Sequence, residues 1–212
     1  MSHQLTANFR SPCALARFVL TMSMGLGLDL WTKTFAFAHL ATSSGARPTS
    51  RSHEFIPGWL HFYVTTNTGA VFGLGEGQRT LFVAVSVAAI LFLTYLFATS
   101  GHQRFYQFVL GLLLAGVLGN MYDRVQYGFV RDMIHALPGW QWPGSWTVPF
   151  IGYPDHERRV FPWIFNVADV LLCTGVGLMI IYSFVAARPV ADVSSQTPRP
   201  QKPQQSPTPR PN

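Results

Sequence analysis

Charge is scarce in this chain. Only 11% of its 212 residues are Asp, Glu, Lys or Arg, where a soluble domain averages about 25%. That shortage argues against an ordinary soluble protein, whose surface needs charge to stay in water. Cysteine is scarcer still, and Cys13 and Cys173 stand outside any metal-ligand spacing. Cys173 falls inside an apolar run, which argues against a structural disulfide, so both read as small apolar filler. His39, His53 and His61 are too scattered to suggest a metal site. The formal net charge is +6, yet no dense basic run or nucleic-acid motif accompanies it. Nucleic acid is therefore not an expected partner.

What the chain has instead is apolar length, with 49% of residues hydrophobic. Phe18 to Leu28 is apolar, Asp29-Leu30-Trp31-Thr32-Lys33 interrupts, and Thr34 to Leu40 is apolar again. A signal peptide with Ala36-Phe37-Ala38 as cleavage box is one explanation. Two charges between core and box argue for a retained transmembrane helix of roughly 20 residues. Leu81 to Ala98 and Phe105 to Tyr122 are uncharged runs, and Val170 to Ala187 is another whose apolar character reaches back to Val160. The expected fold class is an all-α integral membrane protein with four transmembrane helices, at about 18–40, 80–98, 105–123 and 163–187. Gly111, Ala115, Gly116 and Gly119, and likewise Gly175 and Gly177, read as small-residue packing between helices.

Between helices 1 and 2, Trp59-Leu60-His61-Phe62-Tyr63-Val64-Thr65 is β-prone and Asn67-Thr68-Gly69 signals a turn. A small extramembrane β-containing region is expected there rather than a fifth span. Residues 1–187 thus form one membrane domain. From Arg188 onward seven of 25 residues are proline, so 188–212 is expected to be a disordered tail.

Four spans place both termini on one side. On the other side they gather the end of helix 1, the 41–79 connection, the end of helix 3 and the start of helix 4. Asp29, Lys33, Asn67, Asp123, Arg124, Asp132 and Asp169 therefore fall in one neighbourhood by topology alone. Charges near a bilayer are costly and usually mark a site when kept. Asp29 and Lys33, four apart, share a helix face. They either let the helix end at the interface as an ion pair or brace the site. Asp132 and Asp169 are expected to meet. Asp123 is the alternative to one of these paired carboxylates, but its immediate neighbour Arg124 favours a structural ion pair instead. Lys/Arg counts near the spans do not orient the molecule.

Four blocks follow in order: Asp29-x-x-Thr32-Lys33, Asn67-x-Gly69-Ala70-x-Phe72, Gly119-Asn120-x-x-Asp123-Arg124-x-x-x-Gly128-x-Val130-x-Asp132, and Phe165-Asn166-x-Ala168-Asp169. Together they resemble the lipoprotein signal peptidase (signal peptidase II) family of bacterial intramembrane aspartyl peptidases. The resemblance implies a catalytic dyad of Asp132 and Asp169. It implies that Asn67, Gly69, Asn120, Asp123, Arg124, Asn166 and Ala168 line or support the substrate site, with Asp29 and Lys33 bracing it. It implies diacylglyceryl-modified prolipoprotein substrates, contact with membrane lipid, no cofactor and no metal. It places the protein in the bacterial inner membrane, termini cytoplasmic and site toward the outer face. Nothing requires more than a monomer. Leu30 and Met133 depart from the family's usual Gln and Phe, and the segment 138–159 is longer than its norm.

Two carboxylates held close share one proton and titrate as a unit. The ionised member can take a proton from attacking water while the other donates toward the carbonyl oxygen. Other intramembrane aspartyl proteases carry Gly-x-Gly-Asp, which is absent here. The non-enzymatic alternative is a small transporter or channel subunit with a carboxylate proton relay.

Overall fold

The structure, a computed structural model, describes residues 9, 11–42, 51–69, 75–144 and 159–186. In chain order the elements are α1 (Pro12–Leu40), β1 (His53–Ile56), β2 (Leu60–Asn67), α2 (Arg79–Thr99), α3 (Arg104–Gln126), β3 (Val130–Ala136), β4 (Ile164–Phe165) and α4 (Val167–Ala186). All four of these helices are long and apolar enough to cross a membrane. Helix α1 starts earlier than the apolar run suggests. Ser11 caps it, accepting the Ala14 N–H at 3.4 Å, and Pro12 follows where a missing N–H costs nothing. Its 29 residues span about 43 Å, well beyond the roughly 30 Å of a hydrocarbon core.

Helix α3 is the axis of the bundle, packing against α1, α2 and α4. Its buried positions include Leu110, Leu113, Ala115, Gly116, Gly119, Asn120 and Asp123. Close approach requires glycine at 116, where a Cβ would lie 2.6 Å from the Ala168 carbonyl oxygen and from Leu172 Cγ. Gly175 packs similarly on Leu113, but Gly177 has nothing within 4 Å and is not a packing glycine. Toward the termini, Phe18 stacks on Phe97 at 4.1 Å within a cluster including Leu93, Val109, Leu110 and Leu114. Leu20, Met24, Trp31, Leu91, Ile180 and Phe184 all point outward. Apolar side chains cover the outside because hydrocarbon, not water, surrounds a spanning helix.

The sheet is larger than expected. Strands β1 and β2 come from the connection between α1 and α2, as the β-prone patch suggests. Strands β3 and β4, from the connection between α3 and α4, join them in the order β1-β2-β3-β4, antiparallel throughout. Thr65 faces Asp132, Asn67 faces Val130, and Ile134 faces Phe165. Ala36, Phe37 and Leu40 at the end of α1 pack on Val64, Met133 and Ile134 and fix the sheet to the bundle.

Helix α4 begins at Val167, not near 163, because Ile164 and Phe165 are committed to β4. Asp169 consequently sits in the first helical turn rather than a turn or two inside. Of the long 138–159 segment, the base is paired: Val160 donates to the Trp140 carbonyl at 2.9 Å, and Gln141 bridges to Arg159. Residues 145–158 and the tail 188–212 lie outside the described residues.

Candidate active site

The site is built outward from α1. Asp29 and Lys33 lie one turn apart on a face that turns inward, and both are fully buried. Lys33 Nζ is 2.8 Å from Asp29 Oδ2 and 3.2 Å from Asp123 Oδ2. It also donates to Asn120 Oδ1 at 3.1 Å. An ammonium group carries three N–H donors, so Lys33 is fully used. The second oxygen of Asp29 accepts the Ala168 N–H at 2.8 Å, satisfying one of the open donors at the start of α4.

Asp123 does not pair with Arg124. Neighbours on a helix diverge by about 100°, and Asp123 points toward Arg131 instead. Its Oδ1 accepts from Arg131 Nε at 3.0 Å and lies 2.8 Å from Nη2; its Oδ2 accepts the Arg131 backbone N–H at 3.0 Å. Arg124 donates to the Gly69 carbonyl at 3.1 Å and to the Asn120 carbonyl at 3.4 Å, with its guanidinium 4.9 Å over the Phe82 ring. Arg131 is the site residue that sequence reasoning missed. Its signal is the eight-residue step from Asp123 across a turn in which Gly128 takes φ +86°.

Asn120 passes the network on. With Oδ1 held by Lys33, its amide nitrogen faces Asp169 and donates to Oδ1 at 2.8 Å. Asn166 caps α4 reciprocally: its Oδ1 accepts the Asp169 N–H at 3.0 Å, and its own N–H donates to Asp169 Oδ2 at 3.2 Å. The remaining Asn166 amide nitrogen donates to Asp132 Oδ1 at 2.6 Å. One side chain therefore touches both carboxyl-bearing residues. Asn67, whose Oδ1 accepts the Gly69 N–H at 3.0 Å, also hydrogen-bonds Asp132.

Asp132 is buried at 2% exposure, whereas Asp169 is half-buried. Burial pushes the Asp132 carboxyl up to about 7, and the charge of Asp169 adds to the effect. Two coupled carboxyl groups, one reachable from outside, can hold one proton and exchange it with a bound water.

Gly119 lets this network close, since a Cβ there would fall on Asp29 Oδ2. Gly119→Ala is expected to destabilise the protein by about 1–3 kcal/mol and to remove most activity. Thermal unfolding in detergent measures this, and an unchanged midpoint would refute it.

The family model described as Signal peptidase (SPase) II matches residues 21–185. The lipoprotein signal peptidase of Rhodopirellula baltica is 31% identical over 175 residues, covering 76% of this chain and 68% of that protein. That of Enterococcus faecalis is 30% identical over 169 residues, covering 79% and 88%. A solved bacterial membrane enzyme superposes with a TM-score of 0.60 at 30% identity, covering 87% of this chain and 94% of that one.

Proposed function

Since the chain belongs to the signal peptidase II family, we propose that it removes signal peptides from diacylglyceryl-modified prolipoproteins by aspartyl catalysis at Asp132 and Asp169. The observation carrying this proposal is the Asn166 bridge, which hydrogen-bonds both a carboxyl group from the sheet and one from the first turn of α4. Asp132, pushed up to about 7, is the member that holds the shared proton and donates it toward the scissile carbonyl oxygen. Asp169, whose oxygens each accept an N–H, takes a proton from the attacking water. Asn120, Asn166 and Asn67 hold the two carboxyl groups in place. Arg124 secures the chain at Gly69 beside Asn67.

The pair stands where α3 and α4 meet the sheet, the end of the bundle at which a lipid-anchored substrate would present the bond beside its modified residue. Four spans put both termini on one side; by likeness to the family, that side is the cytoplasm and the site faces the outer surface of the bacterial inner membrane.

The test is incubation of the purified protein in detergent micelles with a diacylglyceryl-modified prolipoprotein. One cleavage releasing the signal peptide is expected. The rate should rise and then fall with pH, because one carboxyl must be ionised and the other protonated. The alkaline limb should fall near pH 7, where Asp132 loses its proton. No cleavage at any pH would remove the assignment.

A further inference from the structure

We propose that Arg131 is a positioning residue of this site. It holds the Asp123–Lys33–Asn120 chain that orients Asp169, and it keeps the buried charges in balance. The inference rests on the dyad assignment above and concerns a residue that the matching motif leaves open between Val130 and Asp132.

The geometry is specific. Arg131 is 5% exposed and Asp123 is wholly buried. Residue 131 gives Asp123 two side-chain contacts, at 3.0 and 2.8 Å, and one backbone hydrogen bond at 3.0 Å. Its guanidinium lies 4.5 Å over the Tyr127 ring and 6.0 Å from that of Phe37, and it donates to Thr34 Oγ1 at 3.4 Å. The fork thus pins the start of β3 to both α1 and α3. Asp132 is the next residue, and along a strand its side chain leaves on the opposite face. That face meets Asn166 and Asn67.

Charge gives Arg131 its second effect. The surrounding groups are Asp29 and Lys33 from α1, Asp123 and Arg124 from α3, Asp132 beside it and Asp169 from α4, while β2 presents uncharged Thr66 opposite. Within the closed cluster, two carboxylates (Asp29, Asp123) face two cations (Lys33, Arg131). Without Arg131 the cluster carries one uncompensated negative charge, and Lys33 alone must neutralise both acids. Lys33 is then drawn toward Asp123 and away from Asn120. Asn120 in turn loses the contact that aims its amide nitrogen at Asp169.

The experiment is the pH–rate profile of signal-peptide release from a diacylglyceryl-modified prolipoprotein by full-length protein in micelles. For Arg131→Gln, both limbs should move upward by about half a unit to one unit, because a nearby cation has been removed, and kcat should fall about tenfold or more. Arg131→Lys keeps the charge but not the planar fork. Its limbs should stay at wild-type positions while kcat falls about tenfold. Arg131→Gln combined with Asp123→Asn restores neutrality and should return the limbs toward wild type. A purely structural Arg131 would lower folded yield and leave the limbs unmoved.

Folded Arg131→Gln with wild-type limbs and rate would overturn the proposal. If that variant does not fold, Arg131→Lys decides, and wild-type kcat there overturns it equally. Cleavage surviving both Asp132→Asn and Asp169→Asn would instead remove the dyad, a result distinct from either Arg131 outcome.

Discussion

Asp132→Asn and Asp169→Asn should each abolish signal-peptide release while leaving a folded protein. Asn has nearly the size and shape of Asp, and its carbonyl oxygen can still accept an N–H at each position. At 132 the Asn166 amide donates to Oδ1 and Asn67 also hydrogen-bonds the carboxyl; at 169 Asn120 and the Asn166 backbone donate to different oxygens, so Asn there keeps one of the two bonds. Packing therefore survives while one titrating group disappears. Positioned acid–base groups contribute about 10²–10⁴-fold, and a shared proton needs both members. Each single change should therefore cost at least about 10²-fold, and the double change should cost no more than either single one. Asp123→Asn should lower activity or folded yield without eliminating turnover, because Asp123 acts through Lys33 and Arg131. A folded Asp132→Asn retaining a tenth of the rate, with Asp123→Asn inactive, would show that the wrong pair is named.

Lys33→Met should destabilise the fold more than Gly119→Ala or either dyad substitution. It removes the cation shared by Asp29 and Asp123, and all three groups are fully buried. Arg131 still compensates Asp123, but Asp29 keeps only its contact with the Ala168 N–H. Breaking a buried ion pair from one side costs about 3–5 kcal/mol. Adding Asp29→Asn should recover part of the loss, since it removes the stranded charge yet leaves an oxygen for Ala168. Thermal unfolding in detergent reads both variants. A Lys33→Met midpoint equivalent to less than about 1 kcal/mol of loss, the range of an exposed pair, would show that the cluster is solvated.

Much of this arrangement was legible because hydrophobic runs and their polar ends obey one constraint: backbone crossing a bilayer must be helical. Counting spans places Asp29, Lys33, Asn67, Asp123, Arg124, Asp132 and Asp169 at one end before any contact is known. Strand β3 was not legible. Val130-Arg131-Asp132-Met133 is buried at every position, so the alternation that marks a half-exposed strand is missing. Strand β4 is too short to announce itself, and its apolar residues merge with the helix that follows. The true partner of Asp123 was hidden for a related reason. Adjacency in sequence favours Arg124, but helix geometry sends these two side chains in different directions. Arg131 comes within reach only once the chain has turned into β3.

Strands β2 and β3 are neighbours in space but are separated in sequence by the α2–α3 hairpin. Pairings across such a distance form late, since the chain must close a long loop before any contact compensates the lost entropy. A nascent chain that has made α1, α2, α3 and β3 carries Asp132 but has no β4, no Asn166 and no Asp169. Asp132 then lacks Asp169 and the Asn166 amide, one of the two side chains that hold it. On the dyad proposed above, proteolytic competence would arrive only with the last helix, and a partly made chain would not cut proteins that share the membrane with it.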